Sequence, residues 1–346
     1  MNSVCFISTT SRVETPVIDP STRYRCFHPA TVLSEAGCKC SVTSTAKFFG
    51  HPSHEFDSYL FHRPIHSEAM IEFVEWARSN GRRIIADYDD LIFGDEATAM
   101  QSSTYKNGVM DRDMVVNAFE ANLSALRLFD KVTVSTKPLR SQVLFYHPGI
   151  EVTVVPNRIS RSYARASMLF SHKRMEKKGV SIMYASGTKS HDLDFLVAED
   201  ALLRLLEQDS VSRLDLVGPL AVSDQIAKHP KVHRIRHTDI FRLPRVKAAA
   251  DLLIAPLELS VFNRCKSGIK FLESAIQGIP LVCTPIDDFA PHQGHFTPAE
   301  RPDEWFDAMV TTISHPPDPK GLQDHVLNGW IASDHLESYK NTYLGS

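Results

Sequence analysis

The densest group of residues that could do chemistry lies at 262–273, where the sequence reads FNRCKSGIKFLE. On a helix, Lys266, Lys270 and Glu273 would fall within about 60° of one another. Arg264 and Lys266 stand at the start of that predicted helix, where cations are unfavourable unless an anion is bound. Free backbone N–H groups beside cations, a serine and a glycine form a phosphate site. The candidate phosphate-binding residues are Asn263, Arg264, Lys266, Ser267, Gly268 and Lys270.

Glu273 extends this prediction along the same helix face. It lies two turns, about 10 Å, beyond Lys266. This reach suits a carboxylate that accepts hydrogen bonds from ribose hydroxyls while the cations hold the phosphates of a nucleotide. The alternative is a solvated helix face with Ser267 as an ordinary cap.

A second group consists of three aspartates, Asp87, Asp89 and Asp90, at the end of a predicted strand. Carboxylates this close repel one another unless they are solvated or used in binding. A carboxyl group with a raised pKa in a cleft could bind substrate hydroxyls or accept a proton. Asp90 is the first catalytic candidate, with Asp89 and Asp87 beside it. The alternative is one helix-capping aspartate with solvated neighbours.

Arg23 and Arg25 form a third candidate group, in the first turn of a predicted helix. Two arginines at that position again favour a bound anion. They would suit an anionic sugar, a phosphate-linked acceptor or a nucleotide diphosphate. The alternative is that they pair with the nearby acids Asp19 and Glu14.

The elements that must position these groups alternate between short apolar runs and amphipathic helical patterns. This order predicts an α/β protein with two doubly wound parallel sheets, joined near residue 157 and facing a central cleft. The expected domains are 1–157 and 158–319, with a last helix at about 320–346 that packs back on the first domain. Ligands of such sheets bind beyond the carboxyl ends of the strands. The predicted strands are 4–8, 38–44, 58–62, 83–87, 131–135, 152–156, 180–186, 213–217, 232–235, 252–255 and 280–284. The predicted helices are 24–36, 68–79, 112–129, 139–145, 191–208, 221–229, 241–250, 266–277, 303–313 and 320–343.

Composition excludes several classes of protein. The 346 residues carry a net charge of −3, which does not favour a nucleic-acid partner. Only 15 residues are glycine, and neither a GxGxxG fingerprint nor a P-loop occurs. The six cysteines form no CxxC motif and the 16 histidines are dispersed, so we expect free thiols, a reducing cytoplasm and no metal site. The N-terminus is interpreted as a strand rather than a signal peptide.

The segment 158–178 interrupts the alternation and carries seven Lys or Arg residues against one Glu. Such a charge beside the apolar run at 168–170 could contact an anionic membrane surface. The alternative is a solvated loop between the domains.

Two segments resemble the donor-binding half of GT-B glycosyltransferases of the family 4, GT1-like retaining group. They are FNRCKSGIKFLESAIQGIPLVCTP at 262–285 and YASGTKSHDLDF at 184–195. In the first half, STRYRCFHPATVLSEAG at 21–37 and IIADYDDLIF at 84–93 resemble parts of polysaccharide-assembly members.

The resemblance implies transfer of a sugar from a nucleotide sugar to a glycan or lipid-linked glycan. The process would be bacterial cell-surface polysaccharide synthesis, of lipopolysaccharide O-antigen or capsule. The enzyme would retain anomeric configuration, need no metal or other cofactor, and be cytoplasmic or peripheral at the inner membrane face. Gly187 and Thr188 would approach the diphosphate or sugar, with Lys189 beside them, while His191 and Asp194 shape the loop.

One position departs from the family pattern. The family often carries two glutamates eight positions apart, and Glu273 matches the second. Cys265 stands at the first, and Glu258 lies seven residues earlier. Two alternatives therefore stay open: a catalytically silent GT-B module that binds a glycan or partner, and a sugar-nucleotide epimerase.

Overall fold

A computed structural model describes residues 2–171, 179–187 and 189–345. Within these ranges, two parallel sheets of six strands each organise the chain. The strands of the first sheet are β1 (Ser3–Ser8), β2 (Lys39–Ser44), β3 (Ser58–His62), β4 (Arg83–Tyr88), β5 (Lys131–Val134) and β6 (Glu151–Val154). Those of the second are β7 (Val180–Ala185), β8 (Val211–Val217), β9 (Val232–Ile235), β10 (Leu252–Ala255), β11 (Leu281–Cys283) and β12 (Thr297–Pro298).

Strand order in both sheets fixes where a ligand can bind. The first sheet runs β2-β1-β3-β4-β5-β6 and the second β12-β11-β10-β7-β8-β9. The order reverses direction between β1 and β3 and between β10 and β7, and each reversal opens a crevice at the carboxyl ends of those strands. The central strands β1 and β3 are buried along their whole length, as expected when helices cover both faces of a sheet.

Helices cover both sheets, and their ends follow local capping chemistry. Ser67, for example, accepts a hydrogen bond from the backbone N–H of Met70 at the start of Glu68–Ser79, and Gly81 follows its end with φ +62°. Before β7 the helices are Pro20–Thr22, Arg23–Phe27 (a π turn), His28–Glu35, Thr45–Gly50, Glu68–Ser79, Glu96–Ala99, Ser103–Lys106, Arg112–Leu126, Lys137–Tyr146 and Arg161–Leu169, the last of which packs against the second domain through Ala164. After β7 they are Asp192–Leu206, Asp224–Lys228, Leu243–Lys247, Val261–Arg264, Ile269–Ala275, Trp305–Ser314, Pro319–Leu327, Leu336–Tyr339 and Lys340–Leu344 (a π turn).

The predicted fold class, two doubly wound parallel sheets facing a cleft, is confirmed. The sequence did not predict the short strand β12 or the helices within 45–106 other than Glu68–Ser79. These elements are too short to show a periodic pattern of apolar residues. The predicted helix 266–277 is wrong at its start, since the helix begins at Ile269.

The last helices lie on different domains. Pro319–Leu327 packs against the second domain through Leu322 and Val326. Further on, Tyr343 reaches the first sheet, where its ring meets Phe6 at a centroid distance of 5.4 Å. No helix among the described residues is long and apolar enough to cross a membrane. The predicted membrane contact at 158–178 includes 172–178, which lie outside the described residues, and it stays a prediction.

Two buried histidines make stability depend on pH. Burial lowers the pKa of His28 to about 4 and that of His292 to about 3. The His292 ring stacks on Phe271 and is hydrogen-bonded to His325, so the folded protein holds it neutral. Because the unfolded chain binds protons at higher pH than the folded one, stability is fully present above about pH 6.5 and falls as the pH drops below it.

We therefore expect the free energy of unfolding to fall by about 2 kcal/mol per buried histidine between pH 7 and pH 5. His292→Gln should remove its share of this loss, measured by urea unfolding at the two pH values. His51→Gln is the matched control, since His51 is exposed. Equal acid sensitivity in the His292 variant and the parent would contradict the expectation.

Candidate functional site

A cavity of about 500 Å³ lies between the two domains, at the carboxyl ends of the strands. Its floor includes the ends of β7 and β10, next to the reversal in the second sheet. The charged and histidine side chains that line it come from both domains: Arg12, Asp19, Arg23, Asp89, His191, His237, Asp239, Lys247, Lys270 and Glu273. This is where the strand order predicts a ligand.

Glu273 lies in this cavity and joins the two domains. Its Oε1 accepts a hydrogen bond of 2.6 Å from the Tyr24 hydroxyl, and its Oε2 accepts one of 2.6 Å from Lys247 Nζ. Burial alone would raise the pKa of Glu273, but Lys247 and Tyr24 hold it below its ordinary value. Glu273 is therefore an ionised acceptor with lone pairs left for a ligand hydroxyl.

Lys270 lies one helical turn before Glu273 and also lines the cavity. Its Nζ is buried and has no hydrogen-bond partner among the described residues. The ammonium lies 5.1 Å from the centre of the Tyr184 ring. Burial lowers the pKa of Lys270 to about 8, opposed by Asp194. A buried ammonium that makes no hydrogen bond to the described residues is costly, so this position favours an anionic ligand.

The start of the predicted phosphate-binding helix is arranged differently from the expectation. Val261–Arg264 forms a separate short helix, and Arg264 is exposed outside the cavity lining. The N–H of Gly268 donates to Asp288 Oδ2 at 2.7 Å, so a carboxylate of the chain occupies it. Lys266 Nζ faces Asp90 Oδ2 at 3.8 Å. Helix N–H groups and these two cations therefore do not converge on one anion.

Ser267 still lines the cavity, between these two helices. Its hydroxyl accepts a hydrogen bond of 2.9 Å from Asn157 Nδ2, which belongs to the end of the first domain. Asn263 is buried and donates through Nδ2 to Asp194 Oδ1 at 2.8 Å. Asn263 therefore holds the neighbouring loop and does not line the cavity.

The loop after β7 is brought to the cavity as the resemblance implies. Gly187 and His191 line it, whereas Lys189 is exposed and is not part of the lining. His191 Nδ1 lies 2.8 Å from Asp194 Oδ2. Burial lowers the pKa of His191, and the hydrogen bond that the ring donates to Asp194 opposes this effect. Thr188 lies outside the described residues.

Asp87 is a buried structural carboxylate, not a group in the cleft. Arg25 donates to it through Nε at 3.0 Å and Nη2 at 2.6 Å, and His62 Nδ1 lies 2.8 Å from Oδ2. Thr133 donates to Oδ1 at 2.5 Å. Burial alone would raise the pKa of Asp87, but Arg25 and His62 lower it. Asp87 is therefore an ionised carboxylate in a supporting role, whereas the raised pKa is the expectation for Asp89 or Asp90.

Asp89 is the aspartate of this group that lines the cavity. Arg63 Nε donates to its Oδ1 at 2.6 Å. Burial alone would raise the pKa of Asp89, but Arg63 holds it well below its ordinary value, so Asp89 is an anion and a weak base. Arg63 adopts φ +52°, a strained conformation for a residue other than glycine, directly after β3. Asp90 faces Lys266 instead and is not part of the cavity lining.

The two arginines of the first helix separate. Arg23 lines the cavity, is 7% exposed, and has a buried Nε without a hydrogen-bond partner among the described residues. Arg25 is 1% exposed and donates to Val155 O and Asn157 Oδ1 besides Asp87. The structure therefore corrects the assignment of Arg25 to an anion site, because its donors are taken within the first domain.

Glu14 and Asp19, the acids that the sequence offers as alternative partners of Arg23 and Arg25, bind other groups. Glu14 pairs with Lys47 at 2.8 Å, and Asp19 caps the helix by accepting from Thr22 N at 3.1 Å.

Cys265, which replaces the first family glutamate, does not face the cavity. It is 1% exposed and packs with the core of the first domain, and its carbonyl accepts a hydrogen bond from Thr136 Oγ1 at 2.9 Å. Burial raises the pKa of its thiol to about 12. Glu258 pairs with Lys106 at 3.0 Å. Neither residue places a carboxylate in the described cavity.

Sequence reasoning did not find several of the residues that line the cavity. Arg12, Lys247 and the segment 237–240 line the cavity, and Arg63 holds Asp89. Arg63 and 237–240 follow strands β3 and β9, so attention to every strand end would have found them. Lys247 precedes a run of alanines and the buried β10, where a charged side chain needs a partner.

Among the residues that the structure describes, no three His, Cys, Asp or Glu side chains are grouped as a metal ion would need. A scan of the sequence against protein-family models finds no match. A search of curated proteins finds none either.

Solved structures resemble the whole chain. HepE from Anabaena, crystallised in complex with UDP-glucose, is 14% identical with a TM-score of 0.63, and the match covers 99% of each chain. A glycosyltransferase from Rickettsia africae is 12% identical with a TM-score of 0.64, covering 99% of this chain and 98% of the other. Sucrose-phosphate synthase from Thermosynechococcus elongatus is 12% identical with a TM-score of 0.63 over 100% of both chains. The fold of this chain is the GT-B fold of two Rossmann-like domains.

Proposed function

We propose that this protein is a glycosyltransferase that transfers a sugar from a nucleotide sugar to a glycan or lipid-linked glycan. The observation that carries the proposal is the buried ammonium of Lys270, without a hydrogen-bond partner among the described residues and one turn from the ionised Glu273. A nucleotide diphosphate would supply the missing anion, and its ribose would supply hydroxyl donors for Glu273.

The chemistry follows from the two walls of the cavity. As the sugar leaves, charge grows on the diphosphate, and Lys270 and Arg23 would stabilise it from opposite domains. Asp89, which Arg63 keeps ionised, would accept a hydrogen bond from the acceptor hydroxyl and so orient it. As the acceptor oxygen bonds to the sugar and the bond to the diphosphate breaks, the hydroxyl proton would pass to the departing diphosphate. We propose retention of configuration and no metal requirement. The process proposed is bacterial cell-surface polysaccharide synthesis, of O-antigen or capsule, on the strength of the resemblance at 21–37 and 84–93.

The test is a thermal-shift screen of UDP-, GDP-, dTDP- and CMP-sugars, followed by assays of nucleotide release with and without glycan acceptors. UDP-glucose is the first donor to test, because the similar HepE structure holds it. We expect one nucleotide class to raise the melting temperature and release to require an acceptor. Epimerised sugar nucleotide without acceptor would indicate an epimerase. Binding without turnover would indicate the silent module, for which Cys265 is the supporting observation.

A further inference from the structure

A short segment of the first domain contacts both loops that form the donor side of the cavity. The helix Ser103–Lys106 ends at Asn107. Lys106 Nζ donates to Glu258 Oε1 at 3.0 Å, in the loop after β10. Asn107 reaches the loop after β7. Two neighbouring residues of one domain thus hold two loops of the other.

The side chain of Asn107 is fixed by three hydrogen bonds. Its Nδ2 donates to Ser103 O at 2.8 Å within its own helix and to Ser190 O at 3.1 Å across the cleft. Its Oδ1 accepts from Leu193 N at 2.9 Å. Two carbonyl oxygens face the Nδ2 of Asn107 and one backbone N–H faces its Oδ1, so the side-chain amide can satisfy all three in one orientation only.

The two backbone groups that Asn107 holds stand on either side of His191. His191 lines the cavity and is itself bound to Asp194. Asp194 also accepts from Glu258 N at 2.9 Å, which connects this loop to the one held by Lys106. Asn107 is not part of the cavity lining, so any effect on a ligand must pass through the loop.

We propose that Asn107 is a positioning residue: from the first domain it holds residues 190–193 so that His191 faces the donor site. The inference rests on the proposed function, because it takes the cavity to be a nucleotide-sugar site. It assigns the first domain a direct part in shaping the donor wall. Asn107 does this without touching the donor.

The test uses the full chain with Asn107→Ala. Two readouts are followed: the pKa of His191 by NMR titration of its imidazole, and the affinity for inorganic pyrophosphate and for UDP-glucose by calorimetry. In the parent, burial lowers the pKa of His191. Freeing the loop should let water reach the ring, so its pKa should rise toward about 6.5. Loss of the two hydrogen bonds from Asn107 to Ser190 and Leu193 should weaken the binding of both ligands about tenfold.

Two further variants separate positioning from general stability. Asn107→Leu has a similar volume, makes none of the three hydrogen bonds and adds no charge, so the same rise of the His191 pKa as in the alanine variant is expected. Asn80→Ala is the matched control, because Asn80 Nδ2 donates to Trp76 O four residues earlier on an exposed surface. It should change neither readout.

An unchanged His191 pKa in both Asn107 variants would overturn the inference, whatever the binding results. A lower melting temperature with both readouts unchanged would reduce Asn107 to a structural contact and also overturn it. Failure of pyrophosphate and UDP-glucose to bind the parent would instead count against the proposed function, while the His191 titration would still decide the role of Asn107.

Discussion

Replacing Lys270 with methionine is expected to weaken nucleotide binding about 10- to 100-fold and to raise the melting temperature of the ligand-free protein. A hydrogen bond to a charged group contributes about 1.5–3 kcal/mol, which sets the loss of affinity. The gain in stability follows because Lys270→Met removes a buried cation that has no hydrogen-bond partner among the described residues. We expect about 1–3 kcal/mol in the free energy of unfolding.

Calorimetry with the nucleoside diphosphate selected by the screen measures the first effect, and thermal unfolding without ligand measures the second. Lys228→Met is the matched control, because Lys228 is exposed and pairs with Asp224 on the surface. Lys266→Met decides between the two lysines. If that variant lost binding while Lys270→Met kept it, the sequence-based helix site would be the correct one.

Replacing Asp87 with asparagine should destabilise the fold by about 3–5 kcal/mol, because it leaves the buried Arg25 charge uncompensated. The pair is 1% and 0% exposed, so water cannot take the place of the carboxylate. Denaturant unfolding measures the effect. Asp130→Asn, in the exposed pair with Arg78, should cost less than about 1 kcal/mol.

A double variant sharpens this prediction. Arg25→Met combined with Asp87→Val should recover part of the lost stability, because neither charge remains buried, although His62 and Thr133 lose their partner. Unchanged stability of Asp87→Asn, with activity lost, would contradict the structural role and return Asp87 to the catalytic candidates.

The sheets could be predicted from the sequence because apolar runs alternate with helical patterns along the whole chain. The strands β1 to β11 follow directly from that alternation, as does the cleft at their carboxyl ends. Glu273 and Lys270 were predicted from the spacing of charged residues along the helix 266–277, and His191 from the resemblance of the segment 184–195 to a loop of the donor domain.

The errors arise where a partner distant in sequence decides the outcome. Asp288 caps Gly268 from 20 residues away, and Arg25 is taken by Asp87 from 62 residues away. Because Asp288 accepts from the Gly268 N–H, the helix start is not free to bind an anion as predicted. Because Asp87 holds Arg25, that arginine does not line the cleft. Charge and spacing along a helix cannot reveal either contact.

The two domains also exchange side chains at their hydrophobic cores. Phe262 and Cys265 of the second domain belong to the core of the first, and Tyr24 of the first belongs to a core of the second. Separating the domains would expose these groups at a cost of about 1.5–3 kcal/mol for each large side chain. These contacts therefore hold the two domains together on both sides of the exchange, in addition to the hydrogen bonds across the cavity. Either domain produced alone would carry an uncovered apolar patch at this place.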